Sequence, residues 1–75
     1  MSLWQPSDAS RLRQLRQALG IDTFPLAKRC AISERQLLEL EGVGEGNFYS
    51  EAIKHHTGLK VLRHLGINPD DSATS

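Results

Sequence analysis

The residues of this 75-residue chain that could do chemistry are one cysteine, three histidines, a glycine-rich run and charged side chains gathered around position 35. Cys30 has no second cysteine and no suitably spaced histidine to share a metal, and reads as a small apolar core residue. His55 and His56 are adjacent, so on a helix they point in different directions, and His64 lies two turns beyond His56. Converging metal ligands are therefore not expected; His56 is assigned to a half-buried core position and the other two to the surface. GVGEGN, residues 42–47, holds three of the six glycines but lacks the strand, lysine and hydroxyl of a phosphate-cradling loop. With no nucleophile beside a base, no paired carboxylates and no cofactor fingerprint, the reading is that the chain is not an enzyme and carries no cofactor and no metal.

What remains is charge. Nine Lys plus Arg balance nine Asp plus Glu, whereas phosphate-binding domains usually carry a basic excess. The charges are unevenly placed: Arg11, Arg13, Arg16, Lys28, Arg29 and Arg35 come early, and five acids lie from Glu34 to Glu51. A polarised surface is expected, not a broadly basic one.

The elements that position these groups are helices. A chain this short buries only about 60% of the surface its unfolded form exposes, so its core must be small and well packed. Hydrophobic residues make up 39%, with leucine prominent and few aromatics, which favours an all-α bundle. No apolar run approaches the ~20 residues of a membrane span. The N-terminus lacks the basic-then-apolar pattern of a secretion signal and a lone cysteine forms no internal disulfide, so a cytoplasmic location is expected. Residues 1–7 are expected as a flexible arm, with Trp4 either docked on the bundle or free. Leu12, Leu15 and Leu19 recur at helical steps and predict a first helix from about Asp8 to Leu19, closed by Gly20 in a left-handed cap.

Asp22 caps a second helix with Leu26, Ala27 and Cys30 as its inner stripe; Pro25 falls in the first turn, where it is tolerated. Ser33 and Gln36 form a capping box that opens a third helix, with Leu37, Leu40 and Glu41 inward and Gly42 as its stop. Phe48 and Tyr49 are expected to fold back and close the core. The last stretch, from Ser50 to Gly66, carries two apolar stripes: Tyr49, Ala52, Ile53 and His56 on one side, and Val61, Leu62 and Leu65 centred about 150° away. Either the helix breaks near Gly58, giving five helices, or its halves pack on different neighbours, one of them another chain. Residues 68–75 are polar and read as a disordered tail or linker.

Leu26-Ala27, three residues, Ala31-Ile32-Ser33, then Leu37, Leu40 and Glu41 form an ungapped pattern that resembles the Cro and lambda-repressor-like helix-turn-helix family, the XRE-type regulators of bacteria. The spacing has a physical basis: Ala27 is small where the next helix crosses it, and Ile32, Leu37 and Leu40 wedge the two helices at a fixed angle. Ala31 departs from the glycine the family prefers in the turn. Arg16, four residues before Gly20, resembles the family arginine that pairs with the acid ending the recognition helix, here Glu41. The match covers roughly residues 10–42. A second resemblance, over residues 41–70, is to the cytoplasmic domain of RodZ-type proteins, which keep the same fold and bind a protein filament. The resemblance implies a four- or five-helix lambda-repressor-like bundle over residues 8–67, with the helix-turn-helix at about 22–41.

It also implies a sequence-specific DNA-binding domain, a regulator of transcription, whose base-reading positions fall on Glu34, Arg35, Leu38 and Glu39. Arginine can bind guanine O6 and N7 together, and glutamate can accept from cytosine N4. Two glutamates brought to a polyanion are opposed by its phosphates. Thr23, Lys28, Arg29 and Lys54 are the phosphate-contact candidates, and the partner is duplex DNA, read as a homodimer on half-sites ~34 Å apart. The alternative is an adaptor of RodZ type, in which the same outward residues with Leu38, Phe48 or Tyr49 dock a protein.

Overall fold

The computed structural model describes residues 3–66; Met1, Ser2 and the expected tail at 68–75 lie outside the described residues. It contains four helices, α1 (Pro6–Ala18), α2 (Thr23–Arg29), α3 (Glu34–Leu40) and α4 (Glu51–His64), with no strand among the described residues. None of these helices is long and apolar enough to cross a membrane.

α1 begins two residues earlier than the leucine spacing predicts, so Pro6 and Ser7 belong to the helix and not to an arm. Proline suits this start because its fixed φ is already helical and the amide it lacks would have no helical partner. Asp8 secures the end by accepting a 2.9 Å bond from the Gln5 amide. The residues just ahead do not hang free: Trp4 is buried, and its indole Nε1 donates to the Leu40 carbonyl at 2.8 Å. At the other end Gly20 takes a φ of +69°, and the Ile21 amide bonds back to the Arg16 carbonyl.

Asp22 occupies the position before α2, although its carboxylate takes no helix amide. The bend into α3 is made by Ala31, at a φ of 60°, with the Ile32 amide donating to the Ala27 carbonyl at 3.0 Å. An alanine held there costs on the order of 1 kcal/mol relative to a right-handed residue. Ser33 Oγ then accepts from the Gln36 amide and Gln36 Oε1 accepts from the Ser33 amide, both at 3.1 Å, a reciprocal pair that satisfies two amides at the start of α3.

α4 is one continuous helix through Gly58, not two. Its later stripe enters the core: Val61 and Leu62 are buried beside Leu12, Leu26, Leu37 and Leu40, with Leu65 packed against them. Its earlier stripe stays uncovered, Tyr49 being 95% and Ile53 47% exposed. Phe48 packs on the core as expected; Tyr49 does not. Between the stripes lies the Trp4 ring. A Cβ at Gly58 would come within 2.2 Å of it, so the glycine is a seat for the indole and not a break. The same packing reverses the histidine assignment: His55 is half-buried with its ring edge-on to Trp4 at 6.2 Å, while His56 is exposed.

Candidate functional site

The charged residues singled out in the sequence separate into three groups. The first locks the bundle. Arg16 from α1 reaches Glu41, the residue that closes α3, through two parallel bonds, Nε to Oε2 at 2.6 Å and Nη2 to Oε1 at 2.9 Å. Its third donor, Nη1, satisfies the Ile21 carbonyl at 3.0 Å. The Glu41 side chain is only 2% exposed. Hydrogen bonding to that carboxylate raises the Arg16 pKa above its ordinary value, against the opposing effect of burial. A fork-on-carboxylate pair of this kind fixes geometry as well as charge, and here it holds the end of α3 against α1.

The second group was expected to face a ligand and faces inward. Glu39, placed among the base readers, is 6% exposed. Its Oε1 accepts from the Asn47 amide at 2.8 Å and from Asn47 Nδ2 at 3.1 Å, and its Oε2 lies 3.2 Å from Lys54 Nζ. Burial by itself would push this carboxyl's pKa up; the Asn47 bonds and the Lys54 ammonium outweigh it and hold the group below its ordinary value. Glu39 is thus withdrawn from the list of base readers, and Lys54, spent on it, from the phosphate contacts. The cause is the 42–47 loop. Gly42, Gly44 and Gly46 all take positive φ, which turns the chain back over α3 and delivers Asn47 to Glu39, while Gln36 Nε2 donates to the Asn47 carbonyl at 3.2 Å. The alternating glycines were visible in the sequence; the partner they would present was not.

The third group is outward. Glu34 and Arg35 are exposed at the start of α3, and Leu38 one turn on is half-buried. Thr23 and Glu34, assigned separately to phosphate and base, are bonded to each other, Thr23 Oγ1 donating to Glu34 Oε2 at 2.6 Å. Lys28 and Arg29 are exposed on α2, and the Lys28 ammonium lies 5.5 Å from the centre of the exposed Phe24 ring. Cys30 is buried, and that burial pushes its thiol up in pKa, away from nucleophile chemistry. Among the described residues no three His, Cys, Asp or Glu side chains are grouped to hold a metal ion.

Zero net charge therefore conceals an uneven surface. Asp70 and Asp71 lie beyond the described residues, which leaves nine cations and seven acids within them. Two of each are consumed by Arg16–Glu41 and Lys54–Glu39, so seven cations stand against five acids on the rest of the body.

An all-α bundle with two inward ion pairs and a charged outer face on α2 and α3 is what these residues build. No protein-family model matches the chain, and neither the curated proteins nor the solved structures compared with it yield a match.

Proposed function

We propose that this chain is a sequence-specific DNA-binding domain of the lambda-repressor-like helix-turn-helix kind, working as a regulator of transcription. One observation carries the reading: Glu39 is withdrawn into a buried pair with Lys54, so the outer face of α3 presents Arg35 beside a single carboxylate, Glu34, which already accepts the Thr23 hydroxyl. The conflict between two glutamates and a polyanion is thereby halved. Arg35 reads guanine, and Lys28 and Arg29 on α2 supply phosphate contacts. The tight bend at Ala31 and the Arg16–Glu41 lock give α3 the fixed angle that groove entry requires.

Gel retardation of random-sequence duplex tests the reading. Binding is expected at low salt and should weaken steeply as salt is added, with a slope of about −0.9 per neutralised phosphate. Arg35→Ala should abolish sequence preference at an unchanged melting temperature. Absence of any retarded band at low salt would sink the proposal. A second reading, a protein-docking adaptor on the same fold, is favoured by the exposure of Tyr49 and Ile53.

A further inference from the structure

α2 and α3 are tied on their outward side by one short bond, Thr23 Oγ1 to Glu34 Oε2 at 2.6 Å. Thr23 is half-buried and Glu34 exposed, so the hydroxyl restrains a side chain that would otherwise sweep the surface next to Arg35. The count of donors decides what such a pair can touch. A threonine hydroxyl has one proton to give, and here it goes to the carboxylate; an ionised carboxylate has none. Among the described residues no other hydrogen bond or ion pair engages Glu34. Its Oε1 and the lone pairs of the Thr23 hydroxyl therefore remain as acceptors, with no side-chain proton among them.

Given the DNA-binding reading, on which this rests, we propose that Thr23 and Glu34 act together on cytosine: Glu34 is the specificity-determining acceptor for the N4 amine, and Thr23 is the residue that positions it. Of the four bases, cytosine alone presents a major-groove edge with a donor and no acceptor. Guanine N7 and O6 and thymine O4 set lone pair against lone pair, and adenine places its N7 acceptor beside its N6 amine. Thr23 thereby moves from the phosphate contacts, where its proton would be needed, to the base-reading group. Glu34 adds discrimination and not attraction, because its charge is opposed by phosphates wherever no amine faces it. It stays at a base edge only while Arg35 is docked on guanine, so loss of Arg35 removes both preferences.

The test is selection of duplexes from a random library with the intact chain, followed by gel retardation of the selected sequence and its single-base variants. Selected duplexes should carry a cytosine at a fixed position relative to a guanine, and replacing that cytosine by any other base should weaken binding about tenfold. Glu34→Gln, whose amide offers a donor beside its acceptor, should move the preference at that position to adenine and leave the others as they were. Thr23→Val should flatten the preference at the same position, and Thr23→Ser, which keeps the hydroxyl, should retain it. A tie that merely joined α2 to α3 would change the melting temperature of Thr23→Val and leave the base preference alone. Absence of any retarded duplex would sink the DNA-binding reading and this inference with it. Retardation without a fixed cytosine, an unchanged preference in Glu34→Gln, or a Thr23→Val variant that still selects cytosine would overturn the inference and leave the DNA-binding reading standing.

Discussion

At the start of α3, Glu34 and Arg35 face outward; at its end, Glu39 and Glu41 are almost fully buried against Lys54 of α4 and Arg16 of α1. The residue types are alike and their fates are opposite. At the start, two amides are satisfied locally by the Ser33–Gln36 box, without help from another helix. The end is held from several sides: Trp4 takes the Leu40 carbonyl, Asn47 and Lys54 take Glu39, and Arg16 takes Glu41. α3 is thus covered at its end and exposed at its start, and charge in a sequence does not say which side chains the rest of the chain will cover.

Breaking the anchored end should have the largest consequence. Arg16→Ala leaves the Glu41 carboxylate buried without its partner and should cost about 3–5 kcal/mol. A domain of this size loses roughly 4–8 °C per kcal/mol, so thermal denaturation should show a fall of more than ten degrees or an unfolded chain. An unchanged melting temperature would mean that the two ends of α3 are equivalent after all. Next comes the Trp4 seat. Alanine for glycine inside a helix ordinarily helps by about 1 kcal/mol, but at Gly58 the new methyl meets the indole, and overpacking of that kind costs about 1–3 kcal/mol. Gly58→Ala should therefore destabilise in the parent and stabilise in a Trp4→Ala background. The reversal of sign, read by chemical denaturation, is the diagnostic.

Glu39 makes the comparison pH-dependent. Its folded pKa is lowered from an ordinary value of about 4.5, so its ionised form contributes stability that is fully present above that value and lost as pH falls through the lower folded one. Glu39→Gln should be less stable than the parent at neutral pH, and the gap should close across that acid window. Parallel stability curves from neutral to strongly acid pH would contradict the assignment. The smallest effect is expected at the bend that aims the outward end. Ala31→Gly relieves the left-handed strain but adds freedom to the unfolded chain, for a net gain under about 1 kcal/mol. Ala31→Val, whose branched side chain tolerates positive φ worst, should instead lose stability. If valine were the more stable variant, the bend would not be strained.

Much of the helical frame could be read locally. The Ser33–Gln36 box, Gly20 after the leucine run and the Leu37/Leu40 spacing are short-range features, and each locates an element to within a residue or two. The leucine pattern begins later than the helix, so it places the start of α1 at Asp8 and leaves Pro6 and Ser7 in the arm, whereas the helix begins at Pro6. The site was legible only in part. Arg16 and Glu41 were paired through the resemblance to a known fold. Glu39 was misread as a surface group because it lies off the leucine stripe of α3 and is covered by a loop whose path no local rule gives. Tyr49 and His56 are both expected against the core, yet both are exposed, as are Ala52 and Ile53 between them.

From its own residues the chain determined which segments are helical and, through Gly20, the Ser33–Gln36 box and Gly42, where several of them start or stop. These depend on backbone hydrogen bonds and side chains a few positions apart, which are contiguous in sequence. Tertiary structure alone decided that Trp4 seats on Gly58, that Lys54 is spent on Glu39, and that Tyr49 and Ile53 are left facing solvent. Burial of a charge or an aromatic ring depends on what arrives from distant parts of the chain, and that meeting exists only once the helices have packed.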